Sequence, residues 1–122
     1  MARGRFLSTS IATDDRLNVL SLEAQLLYLL TIPHLDRDGL FDGRPEVLWA
    51  AACPLRHSLR DKVAAIIAEW IAAGLVISYL ANRTPVLYFP SFARHQTGMR
   101  YERETPSKFP PPPGCRRSAQ GL

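Results

Sequence analysis

The sequence has little of what metal sites, disulfide frameworks and membrane spans require. Its two cysteines, Cys53 and Cys115, stand far apart, with no paired Cys-x-x-Cys and no neighbouring histidine cluster. That spacing argues against a disulfide framework and against a zinc site. Cys53 reads as a buried thiol, Cys115 as an incidental one, and the cytoplasm is the expected compartment. No apolar run reaches the roughly 18 residues of a membrane span. The start, MARGRFLSTS, carries two arginines without an apolar stretch behind them and does not read as a signal peptide. His34, His57 and His95 are isolated from one another. There is no glycine-rich phosphate loop and no nucleophile motif, so the chain reads as non-enzymatic, with no cofactor. In HLDRDGLFDG, the residues Asp36, Asp38, Gly39 and Asp42 look like part of a calcium loop. The third regularly spaced acid and the terminal glutamate are missing, so no metal is expected there, only a turn.

What is present suffices for one domain. Of 122 residues, 47% are hydrophobic, which is ordinary for a chain with a single core. The net charge is +4 and its placement is uneven. Nine basic and nine acidic residues precede position 94, whereas six basic and two acidic residues follow. A neutral body with a basic arm points to an anionic partner, and nucleic acid is the commonest. A merely solubilising tail is the other reading of the same charge.

The chain divides into an N-terminal arm (1–20), a folded domain (21–92) and a basic, proline-rich tail (93–122). In the arm, Phe6, Leu7 and Ile11 suit a short edge strand or extended chain. Ser21 is a helix cap, followed by a stripe of Leu22, Leu26, Leu29 and Leu30, widened by Leu27, ending near Pro33. A very short strand is expected at Leu40-Phe41. Arg44-Pro45-Glu46 opens a second helix, since proline suits a first turn and glutamate complements the dipole; Pro54 stops it. Ser58 with Asp61 resembles a capping box for a third helix. Leu59, Val63, Ile66, Ile67, Trp70 and Ile71 give that helix its buried face, Trp70 as core, and Gly74 closes it. Leu75–Leu80 and Pro85–Pro90 read as a hairpin around Ala81–Thr84. The flanking prolines suit an edge position for its second strand. Five of the ten prolines lie between 106 and 113, so the tail should be extended or disordered. The expected fold class is α+β, mainly α: a winged helix-turn-helix of three helices with a C-terminal β-hairpin wing.

In that architecture the start of the second helix of the pair enters the major groove. Here it carries Arg56, His57, Ser58, Arg60 and Lys62, able to reach phosphates or base edges. Arg83 sits at the wing tip. The arm adds Arg94, His95, Gln96, Arg100, Arg103 and Lys108, with Tyr101 and Phe109 interleaved for stacking. The outward face of the third helix, by contrast, is Ala64, Ala65, Ala68, Ala72 and Ala73 with one acid, Glu69. Small residues there would let another helix pack closely, so a protein-interaction module stays open.

The series LSLEAQLLYLLTIPHLDRDGLFDGRPEVL, CPL, AGLVISYL, LYFPSFARHQ and SKFP resembles phage replication-initiation proteins of the replisome-organiser, DnaD-like type. The resemblance covers about residues 15–110 and rests on Gly39, Gly43, Pro45, Gly74, His95, Gln96, Ser107, Lys108, Phe109 and Pro110. It implies a winged-helix DNA-binding domain of phage or prophage origin, acting in replication initiation through origin binding or primosome assembly. The implied partners are double-stranded DNA and primosome or helicase-loading proteins, with no membrane involved; the oligomeric state stays open, a homo-oligomer included. Such proteins often continue into a second helical domain, whereas this sequence runs into PPPPGCRRSAQGL. Two alternatives stand beside this reading: a primosome interaction module and a small phage transcriptional regulator.

Overall fold

Aspartate and serine caps decide how the first half folds. The computed structural model describes residues 3–96 and 98–122; Met1, Ala2 and Thr97, which fall in the expected arm and tail, lie outside the described residues. The elements in chain order are α1 (Asp15–Asn18), α2 (Leu22–Thr31), β1 (Leu40–Asp42), α3 (Pro45–Ala52), α4 (Val63–Ala72), β2 (Ile77–Ala81), β3 (Thr84–Tyr88) and α5 (Phe92–His95). The fold is mixed α+β, with a three-stranded antiparallel sheet. The N-terminal arm contains no strand among its described residues. A 3-10 turn over Thr9–Thr13 leads into α1, whose cap Asp14 accepts from the backbone N–H of Arg16 and Leu17. A capped turn satisfies donors that an unpaired edge strand would leave open.

Ser21 caps α2 as expected: its Oγ accepts from Ala24 N at 3.2 Å. The cap has a partner on another helix. Glu69 of α4 accepts from Ser21 N and from Ser21 Oγ, at 3.2 and 3.0 Å, placing a carboxylate at the positive end of α2. The buried face of α2 is Ala24, Leu27, Tyr28 and Thr31, not the expected leucine stripe. Leu22 is 81% exposed, and Leu26, Leu29 and Leu30 are half-buried. Leucines surround most of this helix, so their spacing alone did not fix the face. The polar members of the true face are compatible with burial. Thr31 Oγ1, for instance, donates to Leu27 O at 2.7 Å.

α4 begins later than expected. His57–Lys62 forms a 3-10 segment, and the residue preceding the helix proper is Lys62, with no side-chain cap. The expected Ser58–Asp61 capping box is therefore not formed. The turn is instead held from the side: Trp49 Nε1 donates to Arg56 O at 3.0 Å, and Leu59 N donates to the same carbonyl at 3.0 Å. The other end behaves as predicted. Gly74, at φ 79°, lets Leu75 N reach Trp70 O and Gly74 N reach Ile71 O, at 3.0 and 3.1 Å, the paired bonds of a Schellman stop. Trp70 is fully buried and donates its indole N–H to Ala24 O at 2.9 Å. Its ring centroid lies 5.8 Å from Tyr28 and 6.0 Å from Phe89, so α2, α4 and the sheet meet at three aromatic rings.

The strand order is β1-β3-β2, which places proline-containing β3 in the middle rather than at an edge. The hairpin loop is two residues long, so Ala81 and Thr84 form the closing hydrogen-bonded pair, and Pro85, opposite Leu80, falls in a non-hydrogen-bonded pair. On its other side β1 has already ended, and only Gly43 N donates to Pro85 O, at 2.8 Å. The missing proline N–H thus costs the β2–β3 ladder no bond; it faces Gly43, just past the end of β1.

One sheet face, with Phe41 and Leu87, packs on the helices. By strand alternation Leu40, Asp42, Val86, Tyr88, Ile77 and Tyr79 share the opposite face. Leu40 and Val86 are nevertheless buried, because the tail covers them. The tail has little regular structure, as its composition predicts, but it is bound to the body along its length. Tyr101 is buried and donates its hydroxyl to Asp38 Oδ1 at 2.6 Å. Arg117 Nε donates to the other oxygen of the same carboxylate, whose side chain is wholly buried. Ser107 donates to Asp36 Oδ2. Tyr79 donates to Pro110 O at 2.6 Å, and Pro112 is buried. Arg37 lies over the Tyr101 ring, 4.0 Å from its centroid, and donates to Tyr101 O at 3.2 Å. Gly39, at φ 76°, makes the acidic turn possible: a Cβ there would come within 2.8 Å of Phe92 Cβ.

Replacing Asp38 with alanine should therefore cost about 2–4 kcal/mol, read from the urea midpoint, since two donors lose their buried acceptor. A chain shortened to end at Gln96 should lose at least as much. An unchanged midpoint for the shortened chain would show that the tail adds nothing to the fold.

Candidate nucleic-acid interface

Two places on the body carry the exposed cations that the sequence singled out. The first is the turn between α3 and α4. Arg56, His57, Ser58, Arg60 and Lys62 are all exposed along it. Trp49 of α3, which sequence reasoning passed over, organises them. Its ring lies 6.0 Å from His57, centroid to centroid, and Arg60 Cζ lies 5.4 Å from its centroid. Those contacts, with the indole bond to Arg56 O, hold the turn against α3 while leaving guanidinium edges in water. Lys62 points elsewhere, pairing with Glu23 of α2 at 3.2 Å. That pair is open to solvent and weakly held, so the ammonium remains available.

The second place is the hairpin tip. Asn82 and Arg83 have φ of 50° and 67°, the left-handed pair of a type I′ turn. Asparagine tolerates that conformation; arginine has no intrinsic reason to be there, and glycine would be the relaxed choice. A long cation is thus held, at some backbone cost, at the most protruding point of the sheet.

The arm residues fare differently from one another. Arg100, Arg103 and Lys108 are exposed, and Arg94 is exposed with one bond to Ser91 Oγ at 3.2 Å. Gln96 is already engaged: its amide accepts from Phe6 N at 2.9 Å and donates to Phe6 O at 2.8 Å, in the manner of a strand partner. His95 is half-buried and lines a cavity of about 50 Å³ with Ile11, Tyr28 and Phe92. Arg117, which the charge count placed with the free cations, is bound to Asp38. The tail's positive charge is therefore partly neutralised, at Arg117, while Arg100, Arg103 and Lys108 stay exposed. No bond pattern could have been read from spacing here, because each partner lies more than 60 residues away in the chain.

Arg5, also outside the expected site, is a structural ion. Its guanidinium binds both oxygens of Glu104 at 2.7 Å, and its side chain is only 4% exposed. Its Nε and that of Arg37 are buried without a hydrogen-bond partner; each guanidinium lies instead against an aromatic ring, Phe92 and Tyr101 respectively. Among the described residues, no helix is long and apolar enough to cross a membrane. The outward face of α4 is small: Ala64, Ala65, Ala68 and Ala72 are exposed, whereas Ala73 packs against the core. Glu69, expected among them as a lone acid, is spent on the α2 cap.

Comparison of the chain with family models, with curated proteins and with solved structures returned no match.

Arg83→Gly should raise stability by about 1 kcal/mol by relieving the left-handed arginine, a gain visible as a higher melting temperature. Acid should act at β1. The Arg44 guanidinium, bonded to Asp42 at 2.7 Å, holds that carboxyl below its ordinary value, with burial opposing it. A lowered folded pKa means that the pair's stability is present above the unfolded pKa, about 4, and is lost as pH falls through the folded value. The melting temperature should thus drop on acidification from about pH 5 to pH 3, and drop less in Asp42→Asn.

Proposed function

We propose that this chain is a winged-helix protein that binds double-stranded DNA without catalysing a reaction. The observation that carries this reading is the arginine at the hairpin tip, kept at φ 67° where glycine would be relaxed. Strain retained at an exposed cation is explained by a task for that cation, and a phosphate backbone is its natural recipient. Two further features favour the reading. The order α2, β1, α3, α4, β2, β3 with a β1-β3-β2 sheet is the arrangement a winged helix requires. The exposed Arg56, His57, Ser58 and Arg60 stand on the 3-10 segment that leads into α4, the helix that would approach the major groove.

The resemblance to phage replication initiators gives the proposal its biological form: origin binding or primosome assembly in a phage or prophage. The alanine face of α4 favours a second reading, an interaction module for another helical protein. Base reading would fall to the 3-10 segment before α4, because Ala64, Ala65 and Ala68 have no donors.

Duplex binding measured against salt separates the two. Wild-type affinity should fall steeply with rising salt, and Arg56→Ala, Arg60→Ala and Arg83→Ala should each lower the log–log slope by about 1. Absence of duplex binding at about 50 mM salt rules the DNA reading out in favour of the interaction module.

A further inference from the structure

Between the body and tail segment 104–109 lies a cleft of about 420 Å³. That is within the size range of small-molecule sites. Its floor is apolar, formed by Leu40, Phe41, Val47 and Ala51. Its roof cannot settle onto that floor because it is tied at three points. Glu104 is bonded to Arg5 by both oxygens, Ser107 to Asp36, and Phe109 O accepts from Arg117 Nη2 at 2.8 Å. The opening is therefore preformed.

The polar rim is asymmetric. Its carboxylates are occupied: Glu104 by Arg5, Asp42 by Arg44, and Asp36 by Ser107 and by the N–H of Asp38 and Leu40 at 2.9 and 3.0 Å. Among the described residues Lys108 enters no ion pair. Its ammonium stands 5.4 Å from the Phe109 ring centroid, and His34 lies on the same rim. An apolar floor beside a spare ammonium and an imidazole, with its carboxylates already occupied, selects for an amphipathic anion.

We propose that this cleft binds a flat apolar group carrying one anionic centre, the apolar part on Phe41, Val47 and Ala51 and the anion at Lys108 and His34. Two sources share that chemistry: a free aromatic anion and an unstacked nucleotide of a DNA single strand. The proposal does not rest on duplex binding. Val47 and Ala51 share one face of α3, and Trp49, which organises the Arg56–Arg60 turn, is on the other.

The test uses the full chain, 8-anilinonaphthalene-1-sulfonate as fluorescent probe, and dTMP and a short oligo(dT) as competitors. Saturable one-to-one probe binding is expected. It should weaken at least about tenfold in Ala51→Phe, which fills the cleft, and about fivefold in Lys108→Glu, an exposed change that leaves folding intact. Leu22→Ser, at an exposed leucine elsewhere, should not alter it. Displacement by oligo(dT) at lower concentration than by dTMP assigns a strand; displacement by neither, or equally by both, assigns a free anion. The proposal is overturned if the folded protein shows no saturable binding, if both cleft variants bind like wild type, or if Leu22→Ser abolishes binding. Because the arms contain no duplex, failure here and failure of the salt titration are separate results.

Discussion

A single buried carboxylate organises the arrangement. Asp38 is taken out of water completely and accepts from a tyrosine hydroxyl on one oxygen and a guanidinium on the other. A carboxylate in that position is tolerable only when both oxygens are satisfied, and both of its donors come from the tail. The tail is thus a condition for burying Asp38, and the buried Asp38 is the tail's anchor. The same turn, through Asp36, arranges its own backbone and holds Ser107. Lining one sheet face with Leu40 and Val86 becomes possible because this layer covers it.

The proposed DNA surface rests on a different kind of support. The turn between α3 and α4 is anchored by buried Cys53 and Leu59, and its exposed cations are not loose. Trp49 fixes the backbone through its indole N–H and offers its ring to His57 and Arg60. Presenting guanidinium groups on a braced turn reduces the entropy lost when they meet an anion. Meanwhile the small residues along α4 keep the helix body unobtrusive.

Much of this fold was legible in the sequence because it is written in local chemistry. The Ser21 cap, proline at the start of α3, Gly74 after α4 and the buried Trp70 each follow from what a single residue permits. The hairpin was legible too, although its proline misled: Pro85 suggested an edge, whereas the register of a two-residue loop removes the conflict with β2, and β1 ends before reaching it. The hidden features depend on distant partners. The buried face of α2 was obscured by an excess of leucine, and Ser58 lost its capping role to a turn shaped by Trp49. Of the candidate site, residues 56–62 and Arg83 were visible as exposed charge. What could not be seen was that Gln96 serves Phe6 and that Arg117 serves Asp38, since composition says a charge exists but not what neutralises it.

The pairing of Arg5 with Glu104 has a temporal meaning as well. These residues lie 99 positions apart, so their contact closes a loop containing nearly the entire domain, and it contributes nothing until the elements between them are in place. Closing so long a loop costs more chain entropy than any local contact, so this pair depends on the elements between it being in place. Opening there loosens one tie between the two arms, while Tyr101, Ser107 and Arg117 keep the tail on the acidic turn.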